Sequence, residues 1–267
     1  MSYRFIDLQV KDNVATVTLS KTESLNALDV PFSAEIAAVF REAGARDDVR
    51  VAILCSRAKA FCAGLDLKAF TSTGIDGSPK ASLEFPDKLR SIFDSCDFIE
   101  ACRKPVIAAV HGACIGGGLD IVSACDIRLC TRDASFSLRE AAVGLVADMG
   151  VLQRLPHVIG QGFTREMAYT ARFYSAKEAE KMGLVSAVYP DREALMEGAR
   201  ALALQIAANA PLAVQATKEV LNMSRHATVE DGMSLAMHKN MVLFASEDLK
   251  EAVRAFMERR KPDFRGR

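Results

Sequence analysis

The sequence predicts an α/β fold that is followed by an all-helical C-terminal region. Strand-like and helix-like segments alternate through the first two-thirds of the chain, whereas only helical periodicity follows from about Asp191. In addition, residues 106–110 form a short apolar run, Val-Ile-Ala-Ala-Val, that is typical of a strand buried on both faces of a sheet. Together these observations predict helices layered on a sheet.

The first elements follow from the hydrophobic pattern. Apolar residues alternate with polar ones in residues 6–10 and again in residues 15–19, and the Asp-Asn pair at 12–13 is a turn signal. This combination predicts a β-hairpin with one solvent-exposed face. Residues 29–44 change to helical spacing, and residues 49–54 form the next candidate strand.

A less regular segment separates these elements from the buried run at 106–110. Residues 71–87 are rich in Gly, Ser, Pro and Lys and contain few large apolar side chains. We expect a mobile loop over a site here, and the alternative is a passive insertion.

The C-terminal quarter carries helix signals. Thr228 and Asp231 have the spacing of a capping box, and Ser246 precedes a helix whose apolar face includes Phe256 and Met257. Pro211 separates this part from an earlier helical stripe that begins at Leu195.

Composition and charge exclude several classes of protein. Of the 267 residues, 50% are hydrophobic and 25% are charged, which is an ordinary globular composition and excludes a disordered or collagen-like chain. The 34 basic residues balance the 34 acidic ones, so the chain lacks the basic excess of a dedicated nucleic-acid binder. No apolar stretch is long enough for a membrane span, and neither end resembles a targeting signal. We therefore expect a cytoplasmic protein.

The cysteines and histidines indicate no metal centre. The chain has 7 cysteines and 4 histidines, without a CxxC pair or a cluster of Cys and His at ligand spacing. Buried free thiols in a reducing compartment are the expected state of the cysteines.

Two glycine-containing loops follow predicted buried strands. Residues 61–67 read Phe-Cys-Ala-Gly-Leu-Asp-Leu, and residues 112–120 read Gly-Ala-Cys-Ile-Gly-Gly-Gly-Leu-Asp. The second loop lacks the lysine and serine of a phosphate-binding loop and does not fit GxGxxG. Glycines that lead into a helix allow a ligand to approach the backbone and leave amides free to stabilise an oxyanion. Tight packing of a helix on a strand is the alternative explanation.

Three carboxylates lie in or soon after the second loop. Asp120 ends the glycine run, and Glu140 and Asp148 follow within thirty residues among apolar neighbours. A carboxylate in such surroundings is costly to bury, which makes each of them a candidate catalytic group. For any single acid, a solvated or helix-capping role is the alternative.

Several motifs together resemble the crotonase superfamily, which is also called the enoyl-CoA hydratase/isomerase family. The resemblance covers essentially the whole chain. The matching segments are Asn-Ala-Leu at 26–28, residues 61–67, residues 104–112, Gly-Gly-Gly at 116–118, residues 124–128, Gln-Arg-Leu-Pro at 153–156, Gly-Leu-Val at 183–185 and the tail 256–264.

The resemblance implies a fold, a substrate and an assembly. It implies a spiral of ββα turns in residues 1–192 and a helical oligomerisation region in residues 193–267 that forms a homotrimer or a homohexamer. It further implies an acyl-CoA substrate, with no cofactor besides the CoA that the substrate carries. The backbone amides of Leu65 and Gly117 would form the oxyanion hole for the thioester oxygen.

The three acids point to one branch of that family. Its hydratases carry a glutamate after the glycine run, a second one at the place of Glu140, and then a Pro-Gly-rich turn. This chain instead has Asp120, Glu140 and Asp148, which resembles the Δ3,5-Δ2,4-dienoyl-CoA isomerases of unsaturated fatty acid β-oxidation. In that reaction Glu140 would remove a proton from C2 and Asp148 would deliver one to C6. Asp120 would orient the substrate or tune the pair.

Other residues are expected to bind the substrate. These are Ala63, Gly64, Leu65, Asp66, Leu67 and Gly117 around the thioester, and Arg260 and Lys261 at the 3′-phosphate of CoA, from a neighbouring subunit. For the two cations, complementing the dipole of the last helix is the alternative role. The functional alternatives are a 2-enoyl-CoA hydratase, a Δ3,Δ2-enoyl-CoA isomerase, and a non-catalytic acyl-CoA-binding or RNA-associated scaffold.

Overall fold

A computed structural model describes residues 3–71 and 78–267 of the chain. In chain order the elements are β1 (Ile6–Lys11), β2 (Val14–Leu19), α1 (Val30–Ala45), β3 (Val51–Ser56), α2 (Leu67–Thr71), α3 (Pro79–Glu100), β4 (Val106–Val110), β5 (Ala113–Ile115), α4 (Gly117–Ala124), β6 (Ile127–Thr131), β7 (Ser135–Ser137), α5 (Val151–Arg154), α6 (Pro156–Thr170), β8 (Tyr174–Ser175), α7 (Ala176–Lys181), β9 (Ala187–Tyr189), α8 (Arg192–Ala207), α9 (Pro211–Met223), α10 (Val229–Leu243) and α11 (Glu247–Met257). Short 3₁₀ turns occupy Thr22–Ser24 and Glu140–Val143.

The larger sheet has six strands in the order β1-β2-β3-β4-β6-β9. The predicted hairpin of β1 and β2 is confirmed, and it is the antiparallel part of the sheet. Its two-residue turn holds Asp12 at a φ of 54° and Asn13 at 61°, and these residue types tolerate the left-handed region that such a turn needs. All other neighbouring strands of this sheet run parallel.

A smaller sheet in the order β5-β7-β8 lies beside the larger one. The chain passes from β4 to β5 and then into α4, and from β6 to β7 and then towards α5 and α6. Each of these ββα units therefore adds one strand to the larger sheet and one to the smaller sheet. The helix that follows leads the chain back to the larger sheet. The predicted α/β fold and its spiral of ββα turns are confirmed.

Helices cover both faces of the larger sheet, which explains why β3 and β4 are buried throughout. On one face α1 and α3 contribute Phe32, Phe40 and Ile99 to the main core cluster. On the other face Leu195 and Ala203 of α8 join a second cluster with residues of the strands. Because α8 packs on the sheet, we propose that the separate helical region begins with α9 and not at residue 193.

The segment expected to be a loop is helical where it is described. The loop prediction for residues 71–87 is wrong from Pro79 onward, because α3 begins there. Its N-cap is Ser78, whose Oγ accepts a hydrogen bond from the amide of Ala81 at 3.2 Å. A serine followed by proline at the first helical position is a helix start signal, although the composition resembles a loop. Residues 72–77 of the predicted loop lie outside the described residues.

Helices α9, α10 and α11 extend from the core and confirm the predicted C-terminal helices. The capping box of Thr228 and Asp231 is formed at the start of α10, and Ser246 caps α11. Several large apolar side chains on α10 and α11 are exposed, including Met237, Met241, Phe256 and Met257. No helix within the described ranges is long and apolar enough to cross a membrane.

Candidate active site

The first glycine loop, residues 61–67, is fixed by its backbone. Gly64 has a φ of 93°, and a side chain there would lie 2.9 Å from the carbonyl oxygen of Ile115, so only glycine fits. The amide of Leu28 donates to the carbonyl of Gly64 at 2.7 Å, and the amide of Asp66 donates to the carbonyl of Leu28 at 2.8 Å. Leu28 and Leu65 thus lie opposite each other, but the bonds between the two segments are made by Gly64 and Asp66. The N–H of Leu65 therefore points away from Leu28.

A buried polar cluster holds the chain that leads into this loop. Asn26 Nδ2 donates to Ser56 Oγ at 2.7 Å and to the carbonyl of Phe61 at 2.9 Å. Ser56 Oγ in turn donates to the carbonyl of Ala60 at 2.7 Å. The thiol of Cys62 donates to the carbonyl of Asn26 at 3.1 Å. The Asn-Ala-Leu motif at 26–28 thus has a physical role, since its asparagine fixes the start of the loop.

The second glycine loop, residues 112–120, brings the helix α4 close to the first. Gly116 has a φ of 50°, and a side chain there would lie 2.8 Å from Glu140 Oε1. A side chain at Gly117 would lie 2.8 Å from Leu28 Cδ1. The amide of Gly116 donates to the carbonyl of Ser137 at 2.8 Å, which joins this loop to the strand before Glu140. The glycines therefore make room for close packing and for an acid.

The amides of Leu65 and Gly117 are available as oxyanion donors. Within the described part of the chain, neither amide donates a backbone hydrogen bond in a turn or loop. Gly117 is the first residue of α4, and the first amides of a helix have no partner within it. Both residues line the same cavity. Two free amides beside one cavity can stabilise a negative oxygen there.

The cavity between the loops has a volume of about 290 Å³. One wall is formed by the glycine loops and another by the acid-bearing segment 139–149, while α3 supplies apolar side chains. The lining residues are Ala63, Gly64, Leu65, Leu67, Leu89, Ile92, Phe93, Ile115, Gly116, Gly117, Asp120, Arg139, Glu140, Val143, Leu145, Val146, Asp148 and Met149. All three predicted acids and both predicted oxyanion residues thus lie at one cavity.

Asp120 is the most buried of the three acids, with an exposed fraction of 1%. It lies in the first turn of α4, and its Oδ1 accepts a hydrogen bond from the amide of Val151 at 2.9 Å. Burial raises the pKa of Asp120 to about 8, and the charges of Glu140 and Asp148 contribute to the rise, whereas the Val151 bond opposes it. Asp120 is therefore mostly protonated near neutral pH.

Glu140 stands soon after the smaller sheet, at the start of the 3₁₀ turn that follows β7. Its Oε2 is buried and accepts no hydrogen bond from the described residues. Burial raises the pKa of this carboxyl, and the charge of Asp148 adds to the effect. A half-buried carboxylate with one oxygen left without a hydrogen bond is a strong base, because a proton relieves its poor solvation.

Asp148 lies between this 3₁₀ turn and α5 and is more exposed than the other two acids. Burial of part of its side chain raises the pKa of this carboxyl as well. Glu140 and Asp148 line the same cavity. The cavity therefore holds two acids that can exchange protons with a ligand bound between them.

The other predicted binding residues are only partly at this cavity. Asp66 lines an adjoining cavity with Leu28 and Asp29, and its carboxylate caps α2 by accepting the amides of Lys68 and Ala69 at 3.1 Å each.

The two predicted CoA cations do not line the cavity within one chain. Arg260 forms ion pairs with Glu251 and Glu258, and Lys261 is exposed beyond the end of α11. Among residues 3–71 and 78–267, no cluster of three or more His, Cys, Asp or Glu side chains could hold a metal ion.

The apolar wall and one buried cation were missed from sequence. Leu89, Ile92 and Phe93 of α3 line the cavity, and their spacing of three and four residues is the signal that could have found them. Arg154 is 8% exposed and donates to the carbonyl of Met149 at 2.8 Å. A buried arginine cannot be recognised from sequence, because its partners come from distant elements.

The fold and this site define a protein with two free backbone amides and three carboxyl groups at one apolar cavity. Residues 9–267 match the family described as enoyl-CoA hydratase/isomerase, and the chain belongs to that family.

Within this family, the chain is similar to proteins that are named dienoyl-CoA isomerases. The chain is 40% identical to a peroxisomal Δ(3,5)-Δ(2,4)-dienoyl-CoA isomerase of Arabidopsis thaliana, over 98% of each chain. It is 39% identical to a mitochondrial protein of the same name from Dictyostelium discoideum, over 98% of this chain and 92% of the relative. The crystal structure of an enoyl-CoA hydratase from Bacillus anthracis superposes with a TM-score of 0.91 at 30% identity, over 99% of this chain and 100% of that one.

Proposed function

We propose that this protein isomerises 3,5-dienoyl-CoA to 2,4-dienoyl-CoA, as the names of its dienoyl-CoA isomerase relatives suggest. Glu140 takes a proton from C2, and the C–H electron pair spreads over the diene to the thioester oxygen. The amides of Leu65 and Gly117 stabilise that oxygen. Asp148 then protonates C6, which moves the double bonds to C2 and C4. The two carboxyl groups have exchanged protonation states, and exchange through solvent restores them.

The observation that carries the proposal is the presence of Glu140 and Asp148 at one apolar cavity with the two free amides. A single base could abstract a proton, but protonation four carbons away needs a second acid at another place. Burial raises the pKa of both carboxyl groups, which makes each of them a better proton acceptor than an exposed carboxylate. The more exposed Asp148 is in the better position to regain its proton from solvent.

Asp120 has a supporting role in this proposal. With a pKa of about 8 it is mostly neutral at pH 7, so it does not add a second negative charge beside the ionised Glu140. Its Oδ1 accepts the amide of Val151, which is three residues after Asp148. It therefore stabilises the turn that carries the proposed acid.

The test is an ultraviolet assay with 3,5-dienoyl-CoA, because the conjugated 2,4-dienoyl product has a distinct absorbance. We expect turnover by the wild type and a loss of about 10²–10⁴-fold in Asp148→Asn, which is the usual contribution of general acid–base catalysis. Asp120 and Glu140 are unchanged in this variant, so the only chemical change is at one cavity acid. Exchange of the C2 protons with deuterium from solvent should survive in Asp148→Asn, because Glu140 remains. Near-normal turnover in this variant would contradict the role of Asp148.

The second candidate is hydration of 2-enoyl-CoA, which the likeness to an enoyl-CoA hydratase structure favours. Asp120 and Glu140 stand at the positions that the family resemblance assigns to the two hydratase acids. Hydration needs both groups to act on water, whereas Asp120 is engaged with the amide of Val151. Faster consumption of 2-enoyl-CoA than of 3,5-dienoyl-CoA would favour the hydratase.

We further propose that the C-terminal helices assemble the protein into a homotrimer or a dimer of trimers. The exposed apolar side chains of α10 and α11 support this, since Met237 and Met241 share one face of α10 and exposed apolar faces are typical of an interface. Light scattering after size-exclusion chromatography should show trimers or hexamers for the wild type. A double Met237→Glu, Met241→Glu variant should shift the mass towards the monomer.

The proposed reaction uses only proton transfers between carboxyl groups and the substrate, so it requires no cofactor besides the CoA of the substrate. We propose a cytoplasmic location on the basis of the seven buried free cysteines, which fit a reducing compartment. The two curated relatives carry the words peroxisomal and mitochondrial in their names. Fractionation of the source cells, with enzymes of each compartment as markers, tests the location.

A further inference from the structure

Arg154 is a buried cation beside the proposed acid, and the reaction described above gives it no role. It belongs to the Gln-Arg-Leu-Pro motif at 153–156 and is 8% exposed. Its Nη1 donates to the carbonyl of Met149 at 2.8 Å. Its Nε and Nη2 donate to Glu100 Oε2 at 3.0 and 2.8 Å, and Nη2 also donates to Asp97 Oδ1 at 3.1 Å. One guanidinium thus joins α3 to the backbone next to Asp148.

The acid turn, residues 148–151, is held from two sides. Asp120 Oδ1 accepts the amide of Val151 on one side, and Arg154 donates to the carbonyl of Met149 on the other. Gly150 has a φ of 101°, and any side chain there would collide with the guanidinium of Arg154. The glycine of this turn is therefore explained by the arginine that lies against it.

Further contacts connect Arg154 with the C-terminal helices. Arg225 forms an ion pair with the other carboxylate oxygen of Glu100, and Asn222 Nδ2 donates to the carbonyl of Glu100 at 3.2 Å. The position of Glu100 is thereby fixed by α9 and the residues after it. Arg154 directs two donors, Nε and Nη2, at the single oxygen Oε2 of Glu100, and the rigid fork of arginine makes such a contact more directional than a bond from lysine.

We propose that Arg154 is a positioning residue that keeps Asp148 at the distance from the substrate that protonation of C6 requires. The proposal rests on the proposed function. Asp148 is the most exposed of the three acids, so the direction of its side chain depends on the backbone of the acid turn. Glu140 follows β7 instead and has no contact of this kind with Arg154 among the described residues.

The test separates the two halves of the reaction in Arg154→Met. Isomerisation should fall by about 10- to 100-fold in kcat, because a misplacement of the order of 1 Å costs that much. KM should stay near the wild-type value, and exchange of the C2 protons with solvent deuterium should be retained because Glu140 and the amides are untouched. Arg154→Lys should recover part of the loss, since lysine keeps the charge but not the fork of donors.

The matched control is Arg225→Met, which removes the other arginine from the same glutamate without touching the acid turn. Its kcat should stay within about twofold of the wild type, because Asn222 and Arg154 still hold Glu100 when this partly buried ion pair is removed. An equal loss in both arginine variants would show that packing of α9 is responsible. A parallel fall of isomerisation and C2 exchange in Arg154→Met, or no fall of either, would also overturn the proposal.

Two further measurements keep the result decisive. Thermal unfolding establishes that Arg154→Met is folded at the assay temperature. If it is not folded, Glu100→Gln replaces it, because this variant weakens the contacts of Arg154 without removing the arginine. We then expect a smaller fall in the kcat of isomerisation, again with C2 exchange retained. Asp148→Asn is assayed alongside. Full activity there would contradict the proposed function, whereas a loss there without any loss in Arg154→Met contradicts only the positioning role.

Discussion

Two walls of the cavity differ in the groups that they present and in what determines the properties of those groups. The glycine wall, residues 63–65 and 116–118, presents backbone amides whose directions are fixed by left-handed backbone conformations and close packing. The acid wall, Glu140 and residues 148–151, presents carboxyl groups whose pKa values are raised by burial. The glycine wall can stabilise the oxygen of any acyl thioester. In the proposed reaction the acid wall decides which protons move, so substitutions on the two walls should affect isomerisation and C2 exchange differently.

The largest effect is expected on the acid wall, in Glu140→Gln. Glutamine keeps the shape of the side chain but cannot accept the C2 proton, so turnover should fall by about 10²–10⁴-fold. Exchange of the C2 protons should disappear with it, because it depends on the same step. Kinetics and mass spectrometry in deuterium oxide measure both quantities. If exchange persists in this variant and is lost in Asp148→Asn, the two acids have the opposite roles.

A smaller loss is expected on the glycine wall, in Gly64→Ala. A side chain at this position meets the carbonyl oxygen of Ile115 in a backbone region that alanine disfavours, so the amide of Leu65 should move. Loss of one oxyanion donor costs about 10²–10³-fold in kcat. Isomerisation and C2 exchange should fall by the same factor, since both pass through the enolate.

The matched control for this variant is Gly162→Ala, because a side chain at Gly162 meets no described atom within 4 Å. Its activity should equal that of the wild type. If Gly64→Ala loses isomerisation but keeps C2 exchange, the amide of Leu65 is not needed to stabilise the enolate.

The pH dependence of stability should distinguish Asp120 from the acids that react. Burial raises the pKa of Asp120 to about 8, so the folded protein holds a proton that the unfolded chain releases near pH 4. The stability from this group is complete below about pH 4 and is lost as the pH rises towards 8. Between pH 5 and 9 the wild type should therefore lose several degrees of Tm more than Asp120→Asn, at about 2–4 °C per kcal/mol for a chain of this size. Parallel Tm profiles of the two proteins would contradict the raised pKa.

The sequence predicted elements whose signals are local. The Asp12-Asn13 hairpin turn and the Thr228 capping box depend on neighbours within a few residues, and the structure confirms both. The placement of Glu140 and Asp148 at one cavity came from the family resemblance and not from any local pattern. The helix start at Pro79 was missed because its composition is also that of a loop.

The contacts that hold the acid turn could not be predicted. Arg154 meets Asp97 and Glu100 across more than fifty residues of sequence, and Val151 reaches Asp120 across 31. Only the fold brings these groups together. The burial that raises the pKa of Asp120 is likewise a property of the packed structure and not of the residues beside it.

The smallest effect is expected far from both walls, in the double variant Arg260→Ala, Lys261→Ala. Neither cation lines the cavity of its own chain, and Arg260 is already paired with Glu251 and Glu258. If a neighbouring subunit brings them to the 3′-phosphate of CoA, each acts as an exposed, screened charge. KM for the acyl-CoA should then rise by roughly two- to fivefold, as for exposed ion pairs. The turnover number should stay nearly constant, because the contact is equal in the ground and transition states.

The phosphate itself provides the control for this last effect. A dephospho-CoA thioester lacks the 3′-phosphate, so its KM should be nearly the same in the double variant and in the wild type. Lys250→Ala, which removes an exposed cation of α11 itself, should change neither KM. Because Arg260 is already held by two glutamates, the single Lys261→Ala change should account for most of the increase. Equal increases with both thioesters would mean that the two cations act on folding or assembly and not on the nucleotide.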